Sequence, residues 1–412
     1  MTVVAFPGDA TEAIEFVLDL ARALHRYGTP AHRLEEGLRD CCRRLGLRAE
    51  VFSTPTTIIM SFGEPQELRS RMMRVEGGEL DMDKLARVDA LAEDVASLRL
   101  TPAEGTAQLE AILASPPPFG HALSTLSHGV AAGSLAVFIG GSLADVAISA
   151  LVGLSLGLLA QYAQRSTDQA RVFELVGAAF AAFAAGLASS LWTGTTPSII
   201  TLSSLLILLP GLSLTVAMTE LATRNLMSGT ARLMSAVIVL LELVVGVAIG
   251  ERAAGALVTL HQAVPVALPL WSRWIAIGAS AIGVAIVVQA QVRAFGWIVA
   301  ACVLSYLGTR AGTRWLGSSA LGAQLGVMVG AFALGVLSNL YARLLSRPAQ
   351  VVAVPAMLLL VPGSMGFRGM ASLLDRDTLT GVESVFAMFV VALAIVAGLL
   401  IANAVVSPRR SL

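Results

Sequence analysis

The tetrapeptide Leu208-Leu209-Pro210-Gly211 interrupts one apolar stretch, and Leu360-Val361-Pro362-Gly363 interrupts another 152 residues later. A proline removes one helical hydrogen bond and clashes with the preceding turn. In a bilayer such a break is tolerated only where the freed backbone faces protein or a cavity. The recurring break predicts an all-α polytopic membrane protein made of two related halves, each containing one discontinuous helix.

The composition supports this prediction. The chain has 412 residues, of which 56% are hydrophobic and 14% are charged, whereas soluble domains carry about 25% charged residues. Residues 1–120 hold 13 basic and 19 acidic side chains, and residues 121–412 hold 15 and 9. The sequence therefore predicts an acidic soluble head followed by a membrane body.

Several classes of protein are excluded by what the sequence lacks. The three cysteines form no CxxC pair, which excludes a disulfide scaffold and a cysteine metal site. There is no basic stripe with interleaved aromatic residues, so nucleic-acid binding is not expected. We predict neither a metal nor a cofactor.

Residues 1–118 are predicted to form a small α+β domain. Four segments have helical periodicity, and the β-branched stretch around residues 48–62 predicts strands. The last helix begins with a capping-box pattern, Thr101-Pro102 followed by Glu104, and three prolines at 116–118 form a stiff linker. The N-terminus has no basic region typical of a signal peptide, so the head is expected in the cytoplasm.

The membrane body contains ten apolar segments of spanning length. They lie near residues 121–141, 143–162, 172–192, 197–219, 231–251, 271–291, 294–311, 318–340, 350–370 and 383–406. We place the first membrane half at 119–260 and the second at 261–412. The boundary at 290–295 is poorly defined, because only Arg293 separates two apolar runs there.

An internal repeat relates the two halves. At an offset of 152 residues, Arg224 pairs with Arg376 and Gly229 with Gly381; in the preceding helix an offset of 149 pairs Phe183 with Phe332. Five spans per half make the second half enter the bilayer upside down, which is the inverted repeat of secondary transporters. Arginine is more frequent in the loops on the head side, which predicts cytoplasmic N- and C-termini.

The four break residues Pro210, Gly211, Pro362 and Gly363 are candidates for substrate binding. A helix break exposes N–H groups with partial positive charge, which suits a carboxylate ligand. The alternative is a kink that serves only packing.

Acidic residues within the apolar segments are candidates for binding or proton coupling. Glu242 is predicted at mid-span, where an unpaired carboxylate is costly, and we assign proton coupling to it and to Asp145. Asp145 and Glu220 are also candidate substrate ligands. The alternative for all three is an ion pair with Arg224, Arg232 or Arg252.

Three uncharged polar residues complete the predicted substrate site: Ser213, Ser338 and Asn339. Each could hydrogen-bond a hydroxylated or zwitterionic substrate. The alternative is hydrogen bonding between helices.

Short motifs along the whole chain resemble the threonine/serine exporter (ThrE) family. They are Gly28-x4-Arg33-x-Glu35, Ser53-Thr54-Pro55-Thr56-Thr57, Gly140-Gly141-x3-Asp145 and Pro210-Gly211. The resemblance implies a ten-helix carrier in the inner membrane that exports threonine and serine, driven by protons. It also implies that Asp145 and both Pro-Gly pairs line or shape the path. Glu220 stands where this family is expected to have aspartate.

Other functions remain open from the sequence. Two-component relatives in the same family export dicarboxylates such as succinate, which makes a dicarboxylate exporter the alternative substrate class. A membrane-anchored enzyme with a catalytic head is a different class, and it would need a nucleophile and base that we do not find. We therefore predict a transporter rather than an enzyme, with small molecules, protons and lipid as partners. A homo-oligomer is compatible with the sequence.

Overall fold

The computed structural model describes residues 10–64, 66, 68–78, 80–192, 194–259, 266–317, 319–360 and 363–408. Pro362, one of the predicted site residues, lies outside this set.

The head is a small α+β domain, as predicted. Its helices are α1 (Ala10–Arg26), α2 (Ala31–Arg44), α3 (Met82–Ala96) and α4 (Pro102–Ala114), and its strands are β1 (Ala49–Ser53), β2 (Thr57–Phe62) and β3 (Arg69–Arg74). The strands form an antiparallel sheet in the order β1-β2-β3.

Local sequence signals explain how the head elements begin and pack. The capping box at the start of α4 is confirmed: the Glu104 N–H donates to the Thr101 hydroxyl at 3.2 Å, and the Thr101 N–H donates to the Glu104 carboxylate at 2.8 Å. Alternating residues of the sheet, such as Ile58 and Met60, are fully buried against the helices. This alternation is the period of two that a half-buried strand requires.

The described part of the membrane body consists of helices and the segments that connect them. Its helices are α5 (His121–Ile139), α6 (Leu143–Ala163), α7 (Thr167–Arg171), α8 (Phe173–Leu191), α9 (Pro197–Ser204), α10 (Gly211–Ala222), α11 (Leu226–Leu257), α12 (Ser272–Val287), α13 (Phe295–Leu316), α14 (Ala320–Leu345), α15 (Gln350–Leu360), α16 (Gly363–Leu374) and α17 (Thr378–Val405). A short 3-10 turn, Val292–Ala294, separates α12 from α13 at the poorly defined boundary.

Helical segments occupy all ten predicted positions. Within the described ranges, eight of them are long and apolar enough to cross a membrane. The two exceptions are the predicted spans at 197–219 and 271–291. The first consists of α9 and α10, separated by residues 205–210, and the second is the 16-residue α12. The chain is a multi-pass membrane protein.

The break at Pro210 is present in the fold. α9 ends at Ser204, and α10 begins at Gly211 after Pro210, whose φ of −77° and ψ of 37° are not helical. In the corresponding segment, α15 is described as far as Leu360 and α16 from Gly363 onward, and the two residues between them lie outside the described set.

The turns that follow α10 and α16 have the same geometry. Arg224 between α10 and α11 has a φ of +67°, and Arg376 between α16 and α17 has a φ of +65°. This left-handed conformation is rare for residues other than glycine. In both copies a glycine, Gly229 or Gly381, packs its backbone on a leucine side chain of the preceding helix. The matched offset of 152 residues therefore corresponds to matched local structure.

The packing of α8 and α14 follows a different offset from the one predicted. Gly246 of α11 packs on Ala178 of α8, and Gly398 of α17 packs on Ala331 of α14. These contacts pair α8 with α14 at an offset of 153 residues, one helical turn from the 149 inferred from Phe183 and Phe332. Small residues at regular spacing make such a shift easy to miss in the sequence.

Candidate functional site

The start of α10 packs against Gly363. A Cβ built on Gly363 would lie 3.1 Å from the Leu209 Cβ and 3.4 Å from the Gly211 Cα. The start of α10 and Gly363 are therefore side by side, and the fold brings together three of the four candidate residues at the two Pro-Gly pairs. Pro362 is not described.

A cavity of about 500 Å³ reaches from the head to the α10 break. Near the head it is lined by Asp81 and Phe119. Near the break it is lined by Ser203, Pro210 and Ser213. Its volume falls in the range typical of small-molecule sites.

The N-terminus of α10 lacks a cap. No side chain accepts from its first turn, and among the described residues we find no acceptor for the N–H groups of Leu212 and Ser213. Both residues line the cavity. An uncapped helix start leaves N–H donors with partial positive charge, so this end of the cavity is suited to an anionic group.

Polar side chains from three other helices line the cavity. Within this wall, the Ser203 hydroxyl lies 2.8 Å from the Ser149 hydroxyl, and His128 Nδ1 lies 2.8 Å from the Ser124 carbonyl oxygen. Gln161 donates to the Thr125 hydroxyl at 2.6 Å. Polar groups therefore line the cavity at several positions between its two ends.

Two carboxylates lie on the α8–α11 side. Glu174, at the start of α8, lines the cavity, and Glu242 is close enough to interact with it electrostatically. Glu242 lies at the middle of α11, as predicted, and is partly buried. It makes no hydrogen bond or ion pair within the described part of the chain. The sequence analysis missed Glu174, because it stands at the end of an apolar segment where acidic residues usually contact water.

Asp145 lies away from the cavity. Its side chain is fully buried and forms a capping box with Ser142 at the start of α6. Its other oxygen accepts from the Thr196 N–H at 2.7 Å. These bonds tie α6 to the segment before α9 and satisfy both carboxylate oxygens.

Ser338 and Asn339 are buried on α14 and do not line the cavity. The Asn339 amide donates to Asn403 at 2.8 Å and to the Val406 carbonyl at 2.7 Å, which joins α14 to the end of α17. The fold does not bring these two residues together with Ser213.

Glu220 lies at the opposite end of α10 from Gly211, where it contacts the head. Its fully buried carboxylate pairs with Arg232 at 3.1 and 3.3 Å, which is one of the predicted alternatives. It also accepts from the Ala31 N–H at 3.0 Å. A residue of the membrane body thus caps α2 of the head, a contact that the sequence analysis did not anticipate.

Burial perturbs the titratable groups of the head around this contact. Desolvation lowers the pKa of His32 to about 4 and also lowers the pKa of His25. Desolvation raises the pKa of Glu35, whose carboxylate accepts from the Ser53 N–H at 2.8 Å. Within the described ranges, no three His, Cys, Asp or Glu side chains are grouped as metal ligands.

A discontinuous helix beside a polar cavity, within a multi-pass helical body, is typical of secondary transporters. Comparison with protein families gives the same class. The family model described as "Putative threonine/serine exporter" (ThrE) matches residues 15–254, and the model described as "Threonine/Serine exporter, ThrE" matches residues 274–405. The chain belongs to the ThrE family, and the two matches together cover the head and most of the membrane body.

Fungal membrane proteins are among the curated relatives. The chain is similar to pheromone-regulated membrane protein 10 of Saccharomyces cerevisiae, with 29% identity over 91% of this chain and 48% of the relative. It is also similar to an uncharacterized protein of Schizosaccharomyces pombe, with 26% identity over 88% of this chain and 49% of the relative. The chain thus spans about half the length of these relatives. No solved structure matches it.

Proposed function

We propose that this protein is a secondary transporter that exports small amino acids, threonine and serine, across the inner membrane in exchange for protons. The observation that carries the proposal is the cavity of about 500 Å³ that ends at the uncapped N-terminus of α10, against which Gly363 packs. Family membership supports the same substrate class.

The substrate carboxylate binds at the start of α10. The N–H groups of Leu212 and Ser213 and the Ser213 hydroxyl supply donors there. Charge-assisted hydrogen bonds of this kind are about twice as strong as neutral ones. Gly363 packs against the same place, and it carries no side chain that would fill the space beside Gly211.

The substrate ammonium binds on the side of Glu174, with Glu242 behind it. An amino acid needs one anionic and one cationic partner, whereas a dicarboxylate needs two cationic ones. Among the described residues that line the cavity, none is lysine or arginine. This lining favours a zwitterion over succinate.

Glu242 is the proposed proton carrier. It is partly buried at mid-helix and has no described ion-pair partner, and an ionisable side chain within a membrane segment is characteristic of a proton or substrate path. Asp145 was the other candidate. Because its oxygens accept from Ser142 and Thr196, we assign it to fixing α6 rather than to the proton path.

The two halves are proposed to be inverted copies that exchange access by moving against each other. The matched turns at Arg224 and Arg376 support a repeat. Two observations support loading of the substrate from the head side. The head contacts the end of the membrane body formed by α10 and α11, and the cavity extends toward the head. We place that side, with both termini, in the cytoplasm.

Counterflow in proteoliposomes tests the substrate. Labelled threonine outside the vesicles should accumulate against unlabelled serine or threonine inside, and not against succinate or buffer. Exchange with succinate alone would replace the amino-acid proposal by the dicarboxylate one. Exchange with none of these compounds would reject both.

The Ser213→Ala variant tests the carboxylate site. Loss of a hydrogen bond to a charged group weakens binding by about 1.5–3 kcal/mol, so the apparent KM should rise about tenfold or more. Ser155→Ala is the matched control, because the Ser155 hydroxyl donates only to its own helix at Leu151.

A further inference from the structure

The head is attached to the membrane body through the N-terminus of α2. The Glu220 carboxylate accepts from the Ala31 N–H, the first residue of α2, and from Arg232 of α11. No side chain of the head itself caps α2. A carboxylate at a helix N-terminus is stabilised by the exposed N–H groups and the helix dipole. Glu220 therefore acts as the cap of a helix in another domain.

The surroundings of this contact are buried and polar. His25, Thr29 and Ser228 are each more than nine-tenths buried, and each has a side-chain atom without a hydrogen-bond partner in the described part of the chain. The Ala31 N–H nevertheless donates to the Glu220 carboxylate, so this bond is the specific attachment here.

A second attachment joins the start of α3 to the end of α12. The Met82 and Asp83 N–H groups donate to the Val288 and Gln289 carbonyls at 2.9 and 3.1 Å. The Gln291 amide donates to the Asp83 carboxylate at 2.6 Å. The N–H groups at the start of α3 have no partner within their own helix, and the carbonyl groups that follow α12 accept from them.

The second attachment lies at the cavity. Leu80 and Asp81 immediately precede α3 and line the cavity together with Val288 and Gln289. The head therefore forms part of the cavity wall on its own side of the membrane body.

The first attachment is connected to the cavity through α10. This 12-residue helix begins at Gly211, beside the cavity, and holds Glu220 in its last turn. A helix of this length spans about 18 Å. Because residues 205–210 separate it from α9, α10 can move as a short rigid unit.

We propose that the head is a gate for the cavity and that Glu220 is its latch, a positioning residue that couples the head to α10. With the latch formed, α2 and α3 hold the head against the cavity mouth. When the latch opens, the head moves away and widens access from its side. The role in transport rests on the proposed function, whereas the gating of access does not.

Labelling of a cavity cysteine tests the gate in the full-length protein. Ser124→Cys places a thiol in the cavity wall, and a charged, water-soluble maleimide is the probe. Adding Glu220→Gln removes the latch charge and should accelerate labelling about tenfold or more, the factor that one charge-assisted hydrogen bond contributes to an equilibrium. Glu220→Asp keeps the carboxylate and should restore slower labelling.

Matched variants control the measurement. Glu383→Gln makes the same change at an exposed glutamate of α17 and should leave labelling unchanged. Gln108→Cys on the exposed face of α4 gives the rate of a fully accessible thiol, and the protein without an added cysteine gives the background of the three buried native thiols.

A variant at the second attachment keeps the proposal testable if Glu220→Gln does not fold. Gln291→Ala removes only the bond to Asp83, and it should also accelerate labelling. If Glu220→Gln folds, an unchanged labelling rate in that variant overturns the gate. If Glu220→Gln does not fold, an unchanged labelling rate in Gln291→Ala overturns it. Counterflow is measured in parallel: labelling that responds in a protein without threonine exchange retains the gate and rejects the proposed function.

Discussion

Gly211 and Gly363 lie against each other although 152 residues separate them in the chain. A Cβ on Gly363 would approach the Gly211 Cα to 3.4 Å and the Leu209 Cβ to 3.1 Å. Neither break residue has a side chain that would keep the backbones apart. The contact joins the start of α10, at the end of the cavity, to the start of the described part of α16.

Replacing Gly363 by leucine should impair transport. The larger side chain cannot fit without moving α10 or α16, and overpacking of this kind typically costs about 1–3 kcal/mol. We expect an apparent KM for threonine raised about tenfold or more in counterflow. Gly296→Leu on the exposed face of α13 is the control, because a Cβ there meets nothing within 4 Å. Equal effects of both substitutions would contradict a specific role for the contact.

Glu242→Gln should separate proton coupling from exchange. The amide has the size of the carboxyl group but cannot carry a proton. Uptake driven by a pH gradient should be lost in proteoliposomes, whereas threonine–serine exchange should persist. Glu251→Gln, at the end of the same helix, is the comparison. If pH-driven uptake survives in Glu242→Gln, another group carries the proton, and Glu174 is the next candidate.

Asp145→Asn should affect stability more than transport. The substitution weakens the capping box at α6 and the bond to Thr196, and loss of a cap costs about 1 kcal/mol. A lower Tm with an unchanged apparent KM is expected, and Ser142→Ala should shift the Tm in the same direction. A raised KM at unchanged Tm would return Asp145 to the substrate site.

Acidification should destabilise the head through His32. In the folded protein burial lowers the pKa of His32 to about 4, whereas in the unfolded chain it stays near its usual 6.5. Between these values the unfolded state binds more protons, so stability should fall as the pH drops from about 6.5 to about 4 and should level off above this range.

Thermal unfolding followed over this pH range measures the effect of His32. The His32→Gln variant, which does not titrate there, should show a weaker dependence, with the remainder arising from His25, whose pKa burial also lowers. An identical pH dependence in the variant would show that His32 does not contribute.

The sequence predicted the parts of the fold that depend on local signals. Apolar length located ten segments, Pro210 located a break, and Thr101 with Glu104 located a helix start. Each signal depends on residues that are close in the chain. The pairing of α8 with α14 was misplaced by one turn, because similar small residues recur along both helices.

The candidate site was predicted less completely, because it depends on distant residues. Pro210, Gly211, Ser213 and Gly363 come together as a break beside a cavity. Asp145, Ser338 and Asn339 lie elsewhere, because buried polar groups between packed helices resemble ligand-binding groups when only the sequence is known. Glu174 was missed for the converse reason, since the end of a span is an ordinary place for an acid.

The membrane class, the head, the helical segments and the break at Pro210 followed from the sequence alone, because bilayer thickness and backbone hydrogen bonding impose these on any chain of this pattern. Only the tertiary structure decided which polar groups face the cavity and that Glu220 caps α2 across two domains. The bond between Glu220 and Ala31 joins residues that are 189 positions apart in the chain. They depend on how helices pack against one another, which no local pattern specifies.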